Sequence, residues 1–164
     1  MATPSQRLRA LGLQLPAVPE PVAAYVPAVR EGDLIYTSGQ LPFVHGALPL
    51  TGVVGASPSN VSVEAATDLA RTAALNALAA AAELAGGIDN IERIIKLTGY
   101  VASAVPTAGE RFTAQPSVIN GASELLGEVF GAAGNHARAA VGVAALPADA
   151  PVELDLIVKV RSGV

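Results

Sequence analysis

Between Val152 and Val160 the chain alternates without a break: Val152, Leu154, Leu156, Val158 and Val160 fall on one side, Glu153, Asp155, Ile157 and Lys159 on the other. A period of two predicts a strand with one buried face. The run 138–146 reads as a second strand, joined to the last one by "PADAP" as a hairpin. "GDLIYTSGQ" at 32–40 reads as another, opened by a Gly-Asp turn and closed by Ser38-Gly39. "NIERIIKLTGYVAS" at 90–103 is rich in Ile, Val, Thr and Tyr and favours a strand, although Glu92 and Arg93 could open a helix. From 62 to 84 Ala, Leu and Glu dominate, and "AGG" at 85–87 supplies a glycine stop, so this is the strongest helix. A second helix is expected over 116–131, ending in "FGAAGN". "SQRLRALGL" forms a short amphipathic turn of helix before a Pro-rich connector, and 41–60 is loop-like with a short strand around 52–55.

The order is β, a small β, α, β, α, β, β, with no internal repeat. Two helices can cover one face of such a sheet, so an apolar opposite face needs other cover. Copies of the same chain are the simplest source, and a closed homo-oligomer is expected.

Composition sharpens this. The 164 residues fit one domain, with 51% hydrophobic and only 15% charged residues, an apolar balance that points to self-association. The net charge is -4 and the ten basic residues are scattered apart from Arg7 and Arg9, which argues against nucleic-acid binding. There is no cysteine, which removes thiol nucleophiles and thiolate metal sites, and His45 and His136 have no metal-ligand spacing. No metal is expected. Gln14, Pro16, Pro19, Glu20 and Pro21 interrupt any apolar leader, and the Ala-rich run at 73–82 is too short to span a bilayer, so no membrane association and a cytoplasmic location are expected.

Arg138 and Glu153 stand out because each interrupts an apolar run. A guanidinium keeps its charge, so Arg138 must be solvated, paired with an anion, or open to an anionic ligand. Its planar N–H fork matches a carboxylate. Glu153 could orient water or take its proton, and the hairpin would bring it near Arg138, as a pair in the empty site. The plainer reading is a surface ion pair of Arg138 with Glu153 or Asp155. Ser38 has no GxSxG surroundings and no histidine to activate it, so Ser38-Gly39 is read as a strand-end turn.

"HARAAVGVAALPADAPVELDLIVKV" and "YVPAVREGDLIYTSGQLP" together resemble the two end motifs of the Rid (reactive intermediate deaminase) family, also called YjgF or L-PSP endoribonuclease proteins. Arg138, Leu146, Pro147, Glu153 and Asp155 match one motif; Tyr25, Tyr36, Ser38, Gly39 and Gln40 match the other. The similarity spans about 22–162, which makes 1–21 an N-terminal extension and 22–164 a single Rid-like domain. The resemblance implies an α+β, chorismate-mutase-like mixed sheet with two helices packed on one face, and a homotrimer with sites in the clefts between subunits. It implies that Arg138 grips a substrate carboxylate, Glu153 positions water and Tyr25 lines the pocket. Backbone groups near Gly39 and Ala140 would complete the site, with Asn120 as counterpart of an asparagine that lines it.

The implied reaction is hydrolysis of enamines and imines of the 2-aminoacrylate type to 2-keto acids and ammonia, with no cofactor. The alternatives are a non-catalytic module that binds small carboxylates such as 2-keto acids and, less favoured, an endoribonuclease. The chain departs from the family pattern in its extension, in extra residues around 104–121, and in "AAYVPA", where polar neighbours of Tyr25 are lost. Tyr25 also fits a core or interface tyrosine, and Asn120-Gly121 fits a helix start or turn.

Overall fold

A computed structural model describes residues 1–18, 24–105 and 111–163. Parts of the Pro-rich connector and of the 104–121 segment therefore lie outside the described residues. The elements are α1 (Pro4–Ala10), β1 (Ala28–Glu31), β2 (Leu34–Thr37), α2 (Val63–Ala85), β3 (Ile91–Ala102), α3 (Gln115–Phe130), β4 (Ala137–Val143) and β5 (Val152–Val160). The strands form one mixed sheet in the order β1-β2-β5-β3-β4.

Local chemistry sets the helix ends. Ser62 caps α2 by accepting from the Ala65 N–H, and Gly86 ends it in the left-handed conformation at φ 70°. Small residues line the inner face of α2, where Ala66, Ala70, Ala73, Ala74 and Ala77 are fully buried. Gly121 of α3 has no room for a side chain: a Cβ there would lie 2.1 Å from the Thr67 carbonyl oxygen of α2. The two helices thus pack closely and cover one face of the sheet, burying Leu97 and Val101 of β3 and the even-numbered residues 152–160 of β5. Gly99 of β3 plays a similar part, since a Cβ there would come within 2.5 Å of Ile119. Without that side chain α3 settles onto the β3 and β4 end of the sheet.

The expected strands at 32–40, 90–103 and 152–160 are present, shortened at the first by a bulge; the two long helices lie within a residue of their expected bounds, and the short N-terminal helix expected over 5–13 ends earlier, at Ala10. Three readings change. The segment 138–146 and the last strand do not form a hairpin: β4 runs parallel to β3, with α3 as the crossover, and β3 stands between β4 and β5. A parallel pair needs such a crossover, so the "PADAP" turn (with a 3-10 turn at Pro147–Asp149) spans the width of β3 instead of joining neighbours. The short strand around 52–55 reduces to single bridges of Val54 with Val61 and Ser103. β1 was not anticipated; it forms the outer edge by pairing Ala28–Glu31 with Thr37–Leu34.

α1 is tied to the body by Asp89, in the 3-10 turn after α2. Its Oδ1 accepts from the Ser5 backbone N–H at 2.8 Å and its Oδ2 from the Ser5 hydroxyl at 2.7 Å, while Leu8 is buried in the common core. Burial would raise the Asp89 carboxyl, but the Ser5 bonds, with Thr3 and the charge of Arg161, outweigh it and hold the group below the ordinary aspartate range.

Candidate functional site

Pairing registers decide which face each candidate occupies. Leu97 aligns with both Arg138 of β4 and Leu156 of β5, so Arg138 projects on the helix-covered side. Tyr100 aligns with both Val141 and Glu153, so Glu153 projects on the open side. The two side chains stand on opposite faces of the sheet with β3 between their strands. Neither the expected pair in the empty site nor the surface ion pair with Glu153 or Asp155 forms. Alternation explains this: 138 and 153 are each one step out of phase with the other's face, and adjacency through a hairpin is absent.

Around Arg138 the helix face supplies two oxygens. Asn120 and Ser123 lie three residues apart on α3, on the stripe facing β4. Arg138 Nη1 donates to Asn120 Oδ1 at 2.8 Å and to Ser123 Oγ at 3.2 Å. Asn120 is therefore neither a helix start nor a turn residue; it sits inside α3. Ala140, two residues along β4, shares the face of Arg138 and packs partly against the core. Arg138 is exposed in the single chain, not sunk among apolar neighbours, and makes no salt bridge among the described residues.

The second group lies on the opposite face, at the end of β2. Between Tyr36, opposite Ile157, and Gln40, opposite Leu154, β2 carries one more residue than β5. This bulge lets the Thr37 hydroxyl accept from the Leu156 N–H at 2.9 Å, and it swings Gly39 over Glu153. A Cβ on Gly39 would fall 1.9 Å from Glu153 Oε1. Only glycine leaves that carboxylate in place. The Ser38 hydroxyl donates to the Val26 carbonyl at 2.6 Å, which anchors the segment carrying Tyr25 to the same corner. Tyr25 itself is 58% exposed, so the reading of a buried core tyrosine does not hold in the single chain.

Glu153 is half-buried, and burial first and the charge of Asp155 second raise its pKa above the ordinary glutamate range. Burial also raises Asp155, against the hydrogen bonds from Tyr100 and Thr98 and the charge of Lys96; the Tyr100 hydroxyl donates to Asp155 Oδ2 at 3.3 Å. Such a carboxyl can orient water and exchange a proton with it. Next to this corner is a cavity of about 580 Å³ that shares Gln40 and is lined by Leu41, Phe43, His45 and Asn76, with no arginine, lysine or carboxylate among the described residues of its lining. It lacks the charged groups of either half-site. Among the described residues no group of His, Asp and Glu could hold a metal ion.

Sequence reasoning missed Ser123, His136 and Thr37. Ser123 carried a usable signal, its i,i+3 spacing from Asn120; Thr37 carried none, because a bulge shows only once the pairing is known.

Comparison with known proteins identifies the family and the fold. The family model described as "YjgF/chorismate mutase-like, putative endoribonuclease" matches residues 5–158. Protein TCP17 of Trypanosoma cruzi is 40% identical over 156 residues, covering 94% of this chain and 92% of that protein. The crystal structure of Atu1372 from Agrobacterium tumefaciens, a protein of unknown function, is 45% identical, covers 94% of this chain and 91% of that one, and superposes with a TM-score of 0.81. That of E. coli TdcF with bound serine is 27% identical, covers 88% and 94%, and has a TM-score of 0.58. Matched along nearly its whole length by the family model, and by relatives that share its sheet and helices, the chain belongs to the YjgF/chorismate mutase-like family.

Proposed function

We propose that this protein hydrolyses small 2-imino acids and their enamine tautomers to 2-keto acids and ammonia, at sites shared between copies of the chain. The observation that carries the reading is Arg138: a permanent cation held by two neutral oxygens and free of any carboxylate among the described residues. An arginine anchored this way is suited to a carboxylate from solution. The serine bound by TdcF is a small amino acid with the same acid group, which supports the substrate class.

Glu153 supplies the other requirement. An iminium carbon is already electrophilic, so attack needs a positioned water and a group to accept its proton, and a carboxylate with a raised pKa fits that task. Because Glu153 and Arg138 lie on opposite faces of one sheet, a single site requires Gly39, Glu153 and Tyr25 of one copy to meet Asn120, Arg138 and Ala140 of another. The open face has the apolar surface such an assembly buries: Val29 is 53%, Val141 42% and Tyr36 39% exposed. A homotrimer closes such heterologous contacts into a ring.

The test couples the purified protein to an enzyme that releases 2-aminoacrylate and follows keto-acid formation. Acceleration that disappears in Arg138→Ala is expected. No acceleration with any imine, with keto-acid binding retained, would instead support a carboxylate-binding module. The endoribonuclease description attached to the family finds little support in a chain of net charge -4 with scattered basic residues.

A further inference from the structure

His136 lies two residues before Arg138 and takes part in a chain of hydrogen bonds that ends on it. The ring Nδ1 is 2.6 Å from the Gly134 carbonyl oxygen, which can only accept, so Nδ1 carries the hydrogen. In the neutral ring Nε2 is then an acceptor. Ser123 Oγ lies 3.1 Å from it, so the hydroxyl hydrogen points at His136 and the oxygen lone pairs remain for Arg138 Nη1 at 3.2 Å. Gly134 fixes the start of the chain, since a Cβ there would lie 2.3 Å from the Leu126 carbonyl oxygen.

The consequence falls on the guanidinium. Nη1 has two hydrogens, and Asn120 Oδ1 and Ser123 Oγ take both. The parallel N–H groups of Nε and Nη2, on the opposite edge, have no partner among the described residues, and this edge is a fork that a carboxylate accepts in bidentate fashion. We propose that Ser123 and His136 are positioning residues for Arg138, presetting its guanidinium so that an incoming carboxylate meets the Nε and Nη2 edge. This rests on the reading that Arg138 receives the acid group of the substrate.

The experiment uses pyruvate, the product expected from 2-aminoacrylate, and its neutral methyl ester, with equilibrium binding measured by calorimetry alongside imine turnover. Ser123→Ala is expected to weaken pyruvate binding about tenfold, the scale of one hydrogen bond to a charged group, and to leave methyl pyruvate within about twofold. His136→Leu should weaken pyruvate severalfold, while His136→Gln, whose side-chain oxygen can accept from Ser123, returns towards wild type. Thermal midpoints are recorded for each variant. Unchanged pyruvate affinity in Ser123→Ala and His136→Leu overturns the proposal, as does an equal loss for acid and ester. Pyruvate binding that weakens as described in a protein with no imine turnover supports the positioning role and removes the proposed reaction. Wild-type turnover with unaltered pyruvate affinity in both variants does the reverse. A wild-type protein that does not bind pyruvate overturns both.

Discussion

Gly39 shows how one residue without a side chain decides the placement of a charged group. Its missing Cβ leaves room for the Glu153 carboxylate, with Oε1 only 1.9 Å from where that atom would be. Gly39→Ala should push Glu153 out of place and lower kcat at least tenfold, because a misplaced water costs the advantage of orientation, while keto-acid binding through Arg138 changes little. Steady-state kinetics with parallel calorimetry reads that split. Glu153 itself must be ionised to take a proton from water, and burial together with the charge of Asp155 holds its pKa up. Activity should therefore fall as pH drops through that raised value. Asp155→Asn removes a negative neighbour and so favours the ionised form, moving the acid limb of the pH–rate profile to lower pH; a limb that stays in place would show that Glu153 does not set it.

At the scale of elements, β5 and α2 were legible because their periodicity concerns only the element itself: alternate burial of 152–160 and a capped, Ala-rich run. The partner of β4 was not. "ARAAVGV" carries small residues on both faces and no signal of which strand it joins, and the turn after it looks like any hairpin turn. The parallel pairing to β3 depends on α3 fitting over Gly99, a contact between residues 20 positions apart in sequence, between Gly99 and Ile119. For the same reason Arg138 and Glu153 stood out in the sequence as charges that interrupt apolar runs, while their separation by the sheet did not. The docking of α1 gives a prediction at this scale. The Asp89 carboxylate, held below its ordinary range in the folded state, contributes stability above the ordinary aspartate pKa that is lost as pH falls through the folded value. Asp89→Asn should lower stability by about 1 kcal/mol, the net value of such hydrogen bonds, and raise hydrogen exchange in α1 before the rest of the chain.

For the whole molecule, the sheet is covered on one face and open on the other, with Val29, Tyr36, Val141 and Ile157 beside Glu153 and Asp155. The expected solution species is a homotrimer, measured by sedimentation or light scattering as a mass three times that of the chain; substituting Tyr36→Glu on this face should dissociate it. Among the described residues no helix is long and apolar enough to cross a membrane.

The central claim is that the guanidinium and the carboxylate of each site come from different copies, and mixing two dead variants tests it most directly. Arg138→Ala and Glu153→Ala are each expected to be inactive, and refolding them together at equal amounts should restore about a quarter of wild-type activity, because random assembly gives about one site in four both groups intact. Co-assembled mixtures that stay inactive, with trimers formed normally, would contradict the account.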